Sequence, residues 1–272
     1  MNMKKIFSSL MIVALAVVAL SACTTNDNPT GEHMSPFHSV EIDATGRDFP
    51  VTVIQDGSYS VDISNGDFNE LDYAVKDGVL MIKPRQGEEI EGKTTIHLGY
   101  DLKRLYVHNQ ADVLLKGAIT TEDQANLDID THSIVNFEDQ LLVKDELKLN
   151  TKNGASLFIA DLETHSAQLT MDTGAHTNIQ GNASSTVTIS ARNGALFNET
   201  SNDDFIPDSK APLKAPLYDL NIDTGAKLWV DATEDIKGTA NNGAQIYYVN
   251  HGYTPTVELH NGAEKFIKDL SL

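Results

Sequence analysis

Asp203, Asp204 and Asp208 form the densest acidic group in this 272-residue chain. Paired carboxylates are the equipment of glycoside hydrolysis, which needs one as acid and another as base or nucleophile. A second acidic set recurs at Asp130, Asp172 and Asp223, with His132 and His176 nearby. Those residue types ligate calcium or a transition metal. Neither set goes further toward chemistry. The trio lies in "SNDDFIPDSKAPLKAP", residues 201–216, a Pro-rich insertion that reads as a solvated loop. The aspartate row lacks the D-x-D-x-D-G spacing of a calcium loop. Asp203, Asp204 and Asp208 therefore stand as a candidate binding loop, no residue is assigned a catalytic role, and no metal or other cofactor is expected.

Around each aspartate of the row runs a repeated phrase: "KNGASLFI", "DTGAHTNI", "RNGALFNE", "DTGAKLWV", "NNGAQIYY" and "HNGAEKFI". Its glycines fall at 154, 174, 194, 225, 243 and 262, at intervals of 20, 20, 31, 18 and 19, the long one containing the insertion. "HNQADVLL" and "DTHSIVNF" repeat it earlier with Gln110 and His132 in the glycine slot, making eight repeats. Three and five residues to either side of the slot stand mainly aliphatic pairs, such as Leu127 with Ile129 and Val135 with Phe137. All share one parity and face one side of the backbone. Two strands joined at a corner, both pointing apolar residues inward, make one rung. The reading is an all-β fold, a right-handed parallel β-helix or solenoid of about eight rungs, each of ~20 residues.

Within the phrase, Asn153-Gly154, Thr173-Gly174, Asn193-Gly194, Thr224-Gly225, Asn242-Gly243 and Asn261-Gly262 are assigned as structural corners. Glycine supplies positive φ or the absent Cβ. The parity puts the preceding Asn or Thr inward, bonding the bend or forming ladders from rung to rung. Gln110 and His132 imply looser corners. Two positions before the glycine the side chain faces solvent, and the row reads His108, Asp130, Lys152, Asp172, Arg192, Asp223, Asn241, His260. One repeat per rung sets Lys152 between Asp130 and Asp172, whereas two repeats per rung would stack aspartate on aspartate. Charge favours the first. Thr177, Glu199 and Lys265 occupy inward slots and predict irregular rungs, while Phe158, Trp229 and Tyr247 read as an outward aromatic strip.

Residues 36–100 alternate with period two around Asp56-Gly57 and Asp77-Gly78, which predicts an N-terminal antiparallel β unit of hairpins capping repeats over 101–272. Ahead of it, Lys4 and Lys5 precede the apolar run "LMIVALAVVAL", too short to span a bilayer. The run ends in "LSAC", which resembles the lipobox of bacterial lipoproteins. Residues 1–22 then read as a signal peptide, Cys23 as the lipidated first residue of the mature chain, and 23–35 as a flexible tether. The membrane is thus an expected partner through an N-terminal lipid anchor, in the bacterial outer membrane, with the periplasmic and surface faces both open. Removing two lysines and no acids takes the formal charge from −19 to −21. Such a chain repels phosphate backbones, so no nucleic acid partner is expected. A single cysteine leaves no disulfide to form.

"FHSVEIDATGRDFPVTVIQDGSYSVDIS", "LDYAVKDGVLMIKP", "LKRLYV", the Gly phrases and "IYYVNHGYTPTVELHNGAEKFI" together resemble the putative auto-transporter adhesin, head GIN domain family over about residues 37–265. The resemblance implies a β-helical fold in a secreted or lipid-anchored envelope protein. A non-enzymatic envelope lipoprotein presenting a rigid solenoid to a glycan or protein ligand is the expected function. A carbohydrate-active β-helix enzyme and a purely structural periplasmic lipoprotein are the alternatives.

Overall fold

The protein's structure, a computed structural model, is described for residues 32–87, 90, 92–198 and 212–268 and is all-β, with one short 3-10 turn at Phe68–Glu70 among those residues. Strands pair in parallel from repeat to repeat. Val113 lies beside Val135, Val135 beside Leu157, Leu157 beside Thr177 and Thr177 beside Phe197. Phe197 then lies beside Leu228 across the long interval, Leu228 beside Ile246, and Ile246 beside Lys265. Each step spans one repeat, so the phrases stack singly. The aliphatic rows fill the interior, with Val135, Ile159, Leu169, Leu228 and Val230 fully buried. Burial of each such side chain stabilises the fold by about 1.5–3 kcal/mol.

At every corner two successive residues have positive φ: Asn153 54° and Gly154 72°, Thr173 48° and Gly174 68°, Asn242 50° and Gly243 75°. Asn109 and Gln110, and Thr131 and His132, adopt the same pair of conformations. The first two corners are therefore not looser: they hold the same geometry, with Gln110 and Thr131 bearing a left-handed cost of about 1–2 kcal/mol each. This geometry turns the second N–H along the stack. Gly154 N donates to Thr173 O at 2.9 Å, Gly174 N to Asn193 O at 3.0 Å, and Gly194 N to Thr224 O at 3.0 Å. Two left-handed residues also break the alternation of faces. The inward Asn/Thr slot is thus corrected: Asn153, Thr173, Asn193, Thr224 and Asn242 are exposed, and Ala155, Ala175, Ala195, Ala226 and Ala244, two residues on, enter the core.

The stack begins earlier than the eight phrases. Thr45 and Gly46 form a further corner at φ 54° and 75°, and Gly46 N donates to Asn109 O at 3.0 Å. The strands flanking it, Ser39–Asp43 and Pro50–Gln55, lie parallel to Arg104–His108 and Asp112–Lys116. The purely antiparallel reading of 36–100 is corrected accordingly. Asp77-Gly78 does close a hairpin, with Leu71–Lys76 antiparallel to Val79–Pro84. Asp56-Gly57 does not. Strand Lys93–Leu98 inserts between its two runs, parallel to Pro50–Gln55 and antiparallel to Ser60–Ser64. Asp56 accepts from Ser58 and His97 rather than closing a two-residue turn.

Strands reach into the C-terminal end of each irregular segment. Glu32–His33, placed in the tether, pairs antiparallel with Ser60–Val61, and Lys214–Pro216, placed in the insertion, belongs to strand Lys214–Ile222.

Candidate functional site

The corner residues sort into a chemical pattern that the phrase alone conceals. Asp130 Oδ1 accepts from Thr131 N at 2.6 Å and, one rung on, from Asn153 Nδ2 at 2.6 Å, while Lys152 Nζ lies 3.3 Å from Oδ2. Asp172 accepts from Asn193 Nδ2 at 2.6 Å and from Arg192 Nε and Nη2 at 2.9 and 2.7 Å. Asp223 takes Thr224 N and Asn242 Nδ2, and Asp43 takes Asn109 Nδ2 at 2.8 Å. An Asp-Thr corner is therefore clamped by the Asn corner above it. The expected Asn ladder is corrected: Asn153, Asn193 and Asn242 each follow a Thr corner because the asparagine amide serves the carboxylate beside that Thr. These aspartates are engaged in structure, and among the described residues no group of three His, Cys, Asp or Glu is arranged to hold a metal ion.

The clamps set a pH dependence. The Arg192 guanidinium, against partial burial and with Asn193 and Thr173, holds Asp172 below the usual carboxylate range. Burial raises Asp130, but Asn153, Lys152 and Thr131 outweigh it and the net direction is down. Asn242, opposed by burial and joined by Thr224, lowers Asp223, and Asp56 falls to about 2, chiefly through the Ser58 hydroxyl. A carboxyl whose folded pKa lies below its unfolded value of about 3.9 stabilises the fold above that value, and the contribution is lost as pH falls through the folded pKa. Thermal unfolding should therefore occur at constant temperature above about pH 5 and fall below about pH 4. In Asp172→Asn that acid-side fall should shrink by about 2–4 °C, read by circular dichroism.

Other predicted site residues fare differently. Cys23, Glu199, Asp203, Asp204 and Asp208 lie outside the described residues. Thr177 is fully buried with its hydroxyl 3.2 Å from Thr151 Oγ1, and Lys265 donates to Pro255 O at 2.9 Å. The outward aromatic strip is corrected in part, since Phe158 and Trp229 are buried and Tyr247 stacks on Phe266 with centroids 5.1 Å apart.

A concave site lies instead where the hairpin Leu71–Lys76/Val79–Pro84 meets the first rung. The groove has a volume of about 340 Å³ and is lined by Glu41, Asp43, Asp72, Tyr73, Met81 and Lys83, among others. A second hollow of about 390 Å³ adjoins it, sharing Asp72 and Lys83 and adding Thr45, Arg47 and Gln86. Beside Glu41 stands a polar file on strand Arg104–His108. Tyr106 and His108 stack with centroids 4.4 Å apart and planes within 4°, and the Arg104 guanidinium sits 5.4 Å from the Tyr106 ring. Asn109 Nδ2 lies 3.1 Å from His108 Nδ1, and His108 Nε2 faces Glu41 Oε1 at 3.7 Å. Arg85 Nε donates to Asp72 Oδ1 at 3.0 Å. Carboxylates, an amine and a thioether around a shallow floor suit a polyhydroxylated ligand. The sequence signal for the file was the alternation of "RLYVH"; the groove had none, because it depends on parallel pairing of Glu41 with both Met81 and Tyr106.

The family model of the putative auto-transporter adhesin, head GIN domain matches residues 37–201. The chain belongs to that family. In the head GIN domain, then, the matched region contains the groove, the stacked file and the corners from Thr45 to Asn193. The fold is shared by solved structures at low identity. A putative adhesin from Parabacteroides merdae is 12% identical with a TM-score of 0.69, over 88% of this chain and 95% of its own. One from Parabacteroides distasonis is 14% identical with a TM-score of 0.68, over 88% and 94%. A putative lipid binding protein from Parabacteroides distasonis is also 14% identical, with a TM-score of 0.67, over 89% and 96%. No curated protein matches the chain in sequence.

Proposed function

We propose that the protein is a non-enzymatic lipoprotein of the bacterial cell envelope, anchored through Cys23, whose rungs wind as a right-handed β-solenoid and present the groove beside Glu41 to a glycan. The head GIN family and the solved structures named as adhesins support an adhesive role. The observation that carries the reading is the groove itself: it sits where the repeat is interrupted by the hairpin, and its lining offers Glu41 as an acceptor, Lys83 as a donor, and Met81 with Ala74, paired across the hairpin, as an apolar floor. Sugar hydroxyls pair with such acceptors while the C–H face of the ring lies on the floor.

Two full-length variants test the reading on bacterial cells. Glu41→Ala combined with Lys83→Ala should lower binding to a panel of envelope and host glycans by about tenfold or more while the protein stays with the membrane. Cys23→Ser should release the protein from the membrane and leave glycan binding intact. Unchanged binding in the double variant, or turnover of any polysaccharide by the native protein, overturns the proposal.

A further inference from the structure

The two ends of the stack differ. At the N-terminal end the hairpin and strands Ser60–Ser64 and Lys93–Leu98 continue the sheet past the first rung. At the other end strand Glu264–Lys268 pairs with Gln245–Val249, and Thr256–Leu259 with Lys237–Ala240, and among the described residues neither pairs further. Two side chains in interior registers are exposed there: Ile267, beside Tyr248, at 61%, and Leu259, beside Ala240, at 37%. Outward Phe266 is also 37% exposed. An open edge with apolar side chains at its rim is a template for another strand.

The backbone fixes how that edge can pair. Glu264 N donates to Ala244 O, so Glu264, Phe266 and Lys268 direct their backbone groups toward Gln245–Val249. In a parallel ladder alternate residues face opposite neighbours, so Lys265 and Ile267 aim theirs at the free edge. The strand reads Glu-Lys-Phe-Ile-Lys. Placed antiparallel to itself about Phe266, it sets Lys265 opposite Ile267, the residues with free backbone groups, as reciprocal hydrogen-bonded pairs. Phe266 meets its own copy in the close non-hydrogen-bonded pair. A two-fold axis through Phe266 perpendicular to the sheet keeps each face in register, so interior meets interior.

We infer that this edge is a self-complementary interface through which a second copy of the chain pairs, end to end, into a two-fold dimer. A register shifted toward the start of the strand would set Lys265 against its own copy, and like charges disfavour it. The occupant is a second copy rather than an unrelated strand because the free backbone groups of Lys265 and Ile267 pair reciprocally and the Phe266 ring meets its own copy under one operation.

The test uses the full chain by sedimentation velocity over a range of concentrations. A reversible monomer–dimer equilibrium is expected. Ile267→Pro removes a free-edge N–H and none of the bonds to Gln245–Val249, so it should weaken association by about tenfold or more with unchanged circular dichroism. Phe266→Cys, oxidised in a Cys23→Ser background, should form a disulfide between copies, since close opposed positions lie about 4.5 Å apart at Cα, within disulfide range. A native chain that stays monomeric, a dimer untouched by Ile267→Pro, or no cross-link in the Phe266→Cys variant overturns the inference.

Discussion

Gly238→Ala is expected to lower the unfolding temperature by about 10 °C, far more than one methyl group ordinarily changes it. Gly238 stands in an interior row that reads Leu169, Ile189, Leu220, Gly238, Val257 from rung to rung. From the row alone, a larger residue there would complete the core. The backbone says otherwise. Gly238 has φ +114°, and a Cβ built on it would come within 1.9 Å of Leu220 O, the carbonyl of the adjacent strand. Real side chains do not approach a backbone atom so closely, so the strands must part locally and a positive φ that suits glycine must be held by alanine. The combined penalty is about 3–4 kcal/mol.

Gly174→Ala is the control. Gly174 has φ +68° and open space around the added methyl, so it carries only the left-handed cost of about 1–2 kcal/mol. Thermal unfolding of both variants by calorimetry separates the two mechanisms. Equal losses would mean that the contact with Leu220 O does not matter. Gly181, at φ +121° with a built Cβ 2.1 Å from Leu162 O, should behave as Gly238 does.

These glycines show what was legible in the sequence. The repeat, its length and the parallel stacking of whole phrases follow from the spacing of Gly154, Gly174 and Gly194 and from aliphatic residues of one parity. Corner glycines are legible because one conformation recurs with one neighbour pattern. Gly238 and Gly181 are not, because each answers to a single backbone contact across strands. The same limit explains Asp56-Gly57, a sound hairpin signal that fails because Lys93–Leu98, about 40 residues away, takes the neighbouring position. It also explains Thr45-Gly46: Asp43 lies three residues before Gly46 instead of two, so the corner escapes alignment by phrase. The groove was hidden for a further reason. Glu41, Tyr73, Met81 and Lys83 come from three strands whose mixed pairing no local pattern encodes.

Where the chain leaves the stack before the insertion, Asn198→Ala should cost roughly 2–4 kcal/mol. Strand Leu196–Phe197 is cut short after two residues, and Asn198 follows it with φ 52°. Its N–H still donates to Thr177 O at 2.9 Å, as a continuing strand would. In an unbroken parallel ladder the carbonyl of the same residue would next accept from Ile179. The left-handed turn swings that carbonyl away. Asn198 Oδ1 takes its place and accepts from Ile179 N at 2.7 Å. Asn198 is 4% exposed and Ile179 is fully buried, so water cannot substitute for the lost acceptor.

Two variants divide the effect. Asn198→Gly keeps the left-handed backbone at no steric cost but lacks the acceptor, so it should lose only the penalty of an unpaired buried N–H, about 1–3 kcal/mol. Asn198→Ala adds the backbone term of about 1 kcal/mol. Amide hydrogen exchange at Ile179 reads the bond directly and should accelerate about 10- to 100-fold in both variants, with unfolding temperatures ordered native, Gly, Ala. Unchanged exchange at Ile179 would show that the side-chain carbonyl does not close the rung. Acceleration there, with amides of the neighbouring rungs protected, would show that one asparagine side chain carries the sheet past the point where its backbone departs.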